Sequence, residues 1–208
     1  MKKGELRRKF FIAVFPPRDV AEKAEKIMLR GPRHWSWNKK ENLHLSLAFP
    51  GFLFEDDVER LQTALGKVGH RAFDISLKGI GIFLDNKNKV KKQQEHVLWA
   101  KPDYRAENEL KILHRKIITQ MKAAGFKYGR DDFAPHMTLA KVEKDGIDLM
   151  KDFAAACGDE KMRRWKCGSF ALYESIAKKD STHPANNNNK GSKYKKVAEF
   201  KLMAAGPE

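Results

Sequence analysis

Cysteine is nearly absent from this chain. Cys157 and Cys167 are the only two in 208 residues, and a pair so close together, without a signal peptide, indicates neither a disulfide framework nor a metal knuckle. Both are expected to be reduced. Long hydrophobic runs are missing too: no apolar stretch approaches the roughly 20 residues needed to cross a bilayer. The opening MKKGELRRKF passes into a short strand-like run with no cleavage site, so the sequence reads as a cytoplasmic protein with no membrane partner. Acidic residues are in deficit, with 27 Asp and Glu against 42 Lys and Arg and a net charge of +15. The excess is spread along the chain, which suggests a polyanionic partner, although charge speaks to binding and not to fold. Nothing in the length requires more than one compact unit, so residues 1–208 are read as a single domain.

Hydrophobic periodicity supplies the elements. FFIAVFPP at 10–17 reads as a buried strand stopped by two prolines. A helix is expected over Asp19–Arg30, where Val20, Ala24, Ile27 and Met28 share a face. Leu43, Leu45 and Leu47 alternate with His44 and Ser46 as in a strand with one apolar face. Pro50-Gly51 should then turn the chain into a second helix carrying Val58, Leu61, Leu65 and Val68. Phe73, Ile75 and Leu77 alternate toward GIGIF, and VLWA forms another strand after the polar stretch DNKNKVKKQQEH, read as a hairpin or loop tip. The longest helix should span Arg105–Ala124 and end at Gly125, with His114 near its apolar stripe in a structural or exposed role. Strand alternation returns at Met137 and Leu139. A small helix over 148–157 and strands at SFALYES and VAEFKL complete the pattern, with the polar loop KKDSTHPANNNNKGSK between those strands. Strands and helices are interspersed without regular βαβ periodicity, which favours an α+β fold over a doubly wound one.

Two hexapeptides stand out: HLSLAF at 44–49 and HMTLAK at 136–141. In a strand, residues i and i+2 face the same side, so His44 projects with Ser46 and His136 with Thr138, roughly 6–7 Å apart along each strand. If both strands border one concave surface, two imidazoles and two hydroxyls surround a common centre. One neutral and one protonated histidine can then act as general base and general acid, while the hydroxyls donate to an oxyanion. Phosphodiester chemistry suits such a site, because in-line attack needs a base, an acid and donors for the equatorial oxygens. Neither motif contains Asp or Glu, so no metal or other cofactor is called for.

At these residues the chain resembles the two-histidine phosphoesterase superfamily, with its paired H-x-[ST]-x motifs, and more closely the RNA 2′,3′-cyclic phosphodiesterase branch, also called the 2′-5′ RNA ligase family. FFIAVFPP, ENLHLSLAFPG, GIGIF with VLWA, FAPHMTLAKV, FALYES and VAEFKL fall in the family's order. The resemblance implies two pseudo-symmetric α+β lobes whose antiparallel sheets, flanked by helices, face a shared cleft. It implies an RNA partner ending in a 2′,3′-cyclic phosphate, opened to a 2′-phosphate by a monomer. His44 would be the proton donor to the leaving 3′ oxygen and His136 the proton acceptor that activates water, roles that the pseudo-symmetry makes interchangeable from sequence. Ser46 and Thr138 would bind the phosphate. Ser46 stands where the branch usually has Thr, and Lys141 where relatives often have Arg, which keeps the charge but loses the planar fork. Lys141 is a phosphate-binding candidate, yet its offset of five from His136 is the wrong alternation phase. Arg130 could also reach a phosphate.

Phe49, Phe133, Trp35 and Trp37 flank the motifs, as core residues or as stacking surfaces for a base, and the basic loops 86–92 and 190–196 are candidates for contacts with RNA flanks. Three competing readings stay open: 2′-5′ ligation of a cyclic phosphate end to a 5′-hydroxyl, a non-catalytic RNA-binding module, and a phosphodiesterase of smaller nucleotides.

Overall fold

In the computed structural model, which describes residues 7–84, 95–129, 132–143, 146–176 and 193–204, the opening alternation becomes β1 (Arg8–Val14), with Phe10, Ile12 and Val14 buried among the helices. Pro16-Pro17 cannot continue the ladder, and α1 (Arg18–Met28) starts directly after them, burying Val20, Ala24 and Ile27. The chain continues through β2 (Ser36–Trp37), β3 (Leu45–Leu53), α2 (Glu55–Leu65), β4 (Phe73–Ile75), β5 (Leu77–Phe83) and β6 (Glu95–Pro102). It ends with α3 (Tyr104–Ala123), β7 (Met137–Glu143), α4 (Ile147–Ala156), β8 (Trp165–Cys167), β9 (Ser169–Ile176) and β10 (Lys193–Lys201). Asp103 caps α3, its carboxylate accepting the Ala106 N–H at 2.8 Å.

The α+β class expected from the sequence is what forms. Strands run in the order β10-β9-β1-β3-β7-β6-β5, with β2 on β7, and β4 and β8 make a separate two-stranded sheet. Each pairing between named strands is antiparallel. The large sheet consists of two halves, β10-β9-β1-β3 and β7-β6-β5, which meet at the single pair Leu45–Met137. The halves carry related units: apart from the two-residue β2 between α1 and β3, β1-α1-β3-α2 and β6-α3-β7-α4 each run strand, helix, strand, helix. Both contribute to one contiguous core containing Leu45, Leu47, Leu98, Leu139, Leu61 and Ile117, so the two lobes share a hydrophobic interior.

Several local expectations change. Pro50-Gly51 does not end the second strand: β3 runs on to Leu53, with Gly51 opposite Phe10. The register slips there, and Phe49-Pro50 occupy the irregular stretch, where a proline's missing N–H is tolerated. Phe73, Ile75 and Leu77 belong to two strands, because β4 pairs with β8 while β5 pairs with β6. Glu95 and His96, read as part of the polar stretch, open β6. The short strands β2 and β8 had no periodic signal. Residues 85–94 and 177–192 lie outside the described residues, and with them the basic loop 86–92 and the first part of the basic loop expected at 190–196, whose residues 193–196 instead belong to β10.

Candidate active site

His44 and His136 each stand one residue before a strand that begins with a buried apolar residue, Leu45 in β3 and Met137 in β7. Because Leu45 and Met137 are antiparallel partners, Ser46 comes opposite His136 and Thr138 opposite His44. Opposite residues of an antiparallel pair share a face. The two imidazoles and two hydroxyls therefore line one cleft of about 220 Å³.

The Leu-Ala pair that follows in both motifs has a structural meaning. In β3, Ala13 faces Ser46 and Ile12 faces Ala48, which leaves Leu47 as an extra residue. In β7, Trp99 faces Thr138 and Leu98 faces Ala140, which leaves Leu139 as an extra residue. Each motif thus contains a β-bulge at its fourth residue, Leu47 or Leu139. Leu47 with Ala48, and Leu139 with Ala140, are consecutive yet all buried, so the face alternation skips one position. Phe49 and Lys141 consequently return to the side of the histidines and line the cleft. This corrects the phase argument against Lys141, which assumed an unbroken strand. The bulge carbonyls find different donors: His114 Nδ1–H donates to Leu47 O at 2.6 Å, and the Asn38 backbone N–H donates to Leu139 O at 2.8 Å. His114 is buried and stacked on Phe133 at 3.9 Å between centroids.

Both cleft histidines are held alike. His44 Nδ1 lies 2.7 Å from Asn42 O and His136 Nδ1 lies 2.8 Å from Ala134 O. A carbonyl can only accept, so Nδ1 carries the hydrogen in each ring, and Nε2 is the atom that gains or loses a proton. Aromatic rings hold the imidazoles from behind: Phe11 and Phe15 lie 5.0 and 5.3 Å from His44, and Phe83 and Trp99 lie 5.0 and 5.9 Å from His136. Tyr194 meets His44 edge-on at 5.3 Å. Burial pushes the His44 imidazole down to about 4; its bond to Asn42 O opposes the shift and the neighbouring His136 adds to it. Burial also lowers His136, against the effect of the Ala134 carbonyl. Burial raises the Tyr194 phenol, which keeps it a protonated donor beside the cleft.

Lys141 Nζ sits 2.9 Å from Glu95 Oε2, a carboxylate that also lines the cleft. Arg130 lies outside the described residues. Of the flanking aromatics, Trp35 is core, Trp37 and Phe49 border the cleft, and Phe133 borders two adjoining cavities. Sequence reasoning missed Phe11, Phe15, Phe83, Trp99, Tyr194, Asn38 and Glu95. Alternation in FFIAVF already puts Phe11, itself buried, on the face opposite Phe10 and Ile12, but only strand order brings Phe11 to His44. Among the described residues, no group of three or more His, Cys, Asp or Glu side chains could hold a metal ion, and no helix is long and apolar enough to cross a membrane.

Residues 16–179 match the family model of the 2′-5′ RNA ligase superfamily. An RNA 2′,3′-cyclic phosphodiesterase of Archaeoglobus fulgidus is 26% identical over 170 residues, which is 81% of this chain and 91% of the relative. The enzyme of the same name from Aeropyrum pernix is 23% identical over 167 residues, covering 80% and 85% of the two chains. The apo structure of LigT from E. coli has the same fold, with a TM-score of 0.71 at 18% identity over 96% of this chain and 99% of that one. With the family match spanning both histidine motifs and most of the fold, the chain belongs to the 2′-5′ RNA ligase superfamily.

Proposed function

We propose that this protein is an RNA 2′,3′-cyclic phosphodiesterase, acting as a monomer and leaving a 2′-phosphate. The observation that carries the reading is the pair of Nδ1-anchored imidazoles, each with a hydroxyl two residues on, facing one cleft of a single chain. The curated relatives bearing that activity in their names support it.

In the proposed reaction, His136 Nε2 takes a proton from water as the water oxygen attacks phosphorus. His44 Nε2–H gives its proton to the 3′ oxygen as the P–O3′ bond breaks, producing a 3′-hydroxyl and a 2′-phosphate. Ser46, Thr138 and Lys141 hydrogen-bond the non-bridging oxygens as charge builds on them. A cyclic phosphate brings a negative charge beside His44, which raises its affinity for the proton it must donate. The two half-sheets work as one unit, because neither half alone contains both an acid and a base.

The test is a short RNA ending in a 2′,3′-cyclic phosphate, incubated in EDTA from pH 5 to 9, with the phosphate position of the product determined. A 2′-phosphate, with activity reduced by about 10²-fold or more in both His44→Ala and His136→Ala, supports the assignment. An intact cyclic end in the parent under all conditions overturns it. Adding an RNA with a 5′-hydroxyl shows whether the same site also ligates.

A further inference from the structure

Two further cavities continue from the cleft. A pocket of about 310 Å³ shares Ser46, Phe49 and His136 with the cleft and is walled by Phe83, Tyr128, Asp132 and Phe133. That pocket shares Asp132 and Phe133 with a groove of about 580 Å³ along α3, lined by Lys111, Arg115, Ile118, Thr119 and Lys122. The reacting centre, an aromatic step and a basic groove thus form one path.

Resting on the proposed function, we infer that this path carries the single-stranded body of the RNA away from its cyclic phosphate end. The favoured substrate is therefore an oligonucleotide, since a cyclic mononucleotide fills only the reacting centre. Lys111, Arg115 and Lys122 fall four and seven residues apart on one side of α3, a stripe about 17 Å long at the helix rise. Arg115 and Lys122 are exposed, and among the described residues neither has a carboxylate within ion-pair distance. Lys111 pairs with Glu107, in the first turn of the same helix. Surface lysines are ordinarily just solvated, and two features set these apart. They line the groove that adjoins, at Asp132 and Phe133, the cavity reaching His136, and the ring at the junction, Phe133, is backed by His114 at an interplanar angle of 9°, which makes it a rigid platform. Basic grooves joined to aromatic platforms suit single strands, whose phosphates track the charges while bases stack. Asp132, the one carboxylate among the lining residues of both cavities, suits a base edge, where it can accept from an exocyclic amine.

The experiment compares the parent with a triple variant, Lys111→Gln, Arg115→Gln and Lys122→Gln, and with a control triple on another surface, Lys26→Gln, Arg163→Gln and Lys166→Gln. Affinity for a 5′-labelled ten-nucleotide RNA with a 2′,3′-cyclic phosphate is measured by fluorescence anisotropy across a salt series, on ice in EDTA. Turnover of that RNA and of a 2′,3′-cyclic mononucleotide is measured in parallel. The groove variant is expected to bind the RNA at least about tenfold more weakly, with a slope of log affinity against log salt shallower by roughly 2, at about 0.7 per lost phosphate contact. Its mononucleotide turnover should match the parent, and the control triple should bind within a factor of about two of it. Equal RNA binding by the groove variant and the parent, or an equal loss in the control triple, overturns the track. If the parent hydrolyses neither substrate, the hydrolase reading fails by itself, and the binding comparison still decides the track.

Discussion

Leu45 and Met137 face each other where the two half-sheets join, each fully buried and each immediately following a cleft histidine. This one pairing relates the motifs by a local twofold. Whatever β3 does with His44, Ser46 and a bulge at Leu47, β7 repeats with His136, Thr138 and a bulge at Leu139. The symmetry stops at the sixth residue of each motif, where Phe49 supplies an aromatic surface and Lys141 a charge. One side of the cleft is thereby suited to a base or ribose and the other to a phosphate.

The pH profile of kcat/KM should have its optimum on the acid side of 6.5. Catalysis requires one imidazole protonated and the other neutral, and kcat/KM reports the free enzyme. Burial holds His44 at about 4 and lowers His136. Both rings therefore give up their protons below the usual imidazole range, so the singly protonated pair is already thinning out by about pH 6.5 and falls roughly tenfold per unit above it. The kcat profile should lie at higher pH, because the bound phosphate stabilises the imidazolium. Coincident profiles centred above pH 7 would contradict the burial of these rings.

A sulfur leaving group separates the two histidine roles. If His44 protonates the departing 3′ oxygen, a 2′,3′-cyclic phosphorothiolate with sulfur at the 3′ position should restore turnover in His44→Ala, since a thiol ionises near pH 8.5 and leaves without a proton. His136→Ala should remain slow on the same substrate, still lacking the base. The reverse pattern would exchange the roles without altering the site.

How much of this was legible in the sequence depended on range. The histidine and hydroxyl pairs were readable because strand alternation is local, and so were α1, α2 and α3, whose apolar stripes each bury a continuous face. The bulges were not, because a bulge is defined by the partner strand: Leu47 is extra only relative to Ile12 and Ala13. For the same reason Lys141 looked misdirected, and Pro50-Gly51 looked like the end of a strand that in fact continues. The rings around His44 come from β1 and β10, at opposite ends of the chain, so no window of sequence contains them together.

Lys141 and Glu95 should behave as a coupled pair in phosphate binding. Removing the charge with Lys141→Gln deletes a charge-assisted contact, worth about 1.5–3 kcal/mol, and exposes Glu95 to the incoming anion. KM for a cyclic phosphate should therefore rise roughly tenfold or more. Adding Glu95→Gln removes the repulsion and should recover several-fold of that loss, while Glu95→Gln alone should change KM little. Steady-state kinetics on the four proteins form the cycle, and strictly additive effects would show that the two side chains do not act together.

Gly81 marks a close approach behind His136. It lies opposite Trp99, and a β-carbon at that position would come within 2.5 Å of the indole ring. Trp99 in turn stacks on Phe83 at 4.6 Å, and both rings contact His136. Gly81→Ala should overpack the pair at a cost of about 1–3 kcal/mol, shift the tryptophan emission, and lower kcat/KM. Unchanged thermal denaturation and unchanged kinetics would mean the indole can move aside freely.

His114 touches no part of the cleft, yet it secures the bulge that aims Phe49, by donating to Leu47 O at 2.6 Å. Burial lowers its pKa, opposed by that same bond and reinforced by Arg115. The folded protein thus holds this ring neutral, whereas the unfolded chain takes up a proton near pH 6.5. Its contribution to stability is complete above that pH and declines as pH falls below it. His114→Phe preserves the stack on Phe133 but leaves the Leu47 carbonyl buried without its donor, so stability at pH 8 should drop by about 1–3 kcal/mol. The variant should also lose part of the parent's destabilisation between pH 7 and 5. Chemical denaturation at several pH values measures both effects, and a variant as stable as the parent at pH 8 would show that the bulge holds its shape without this hydrogen bond.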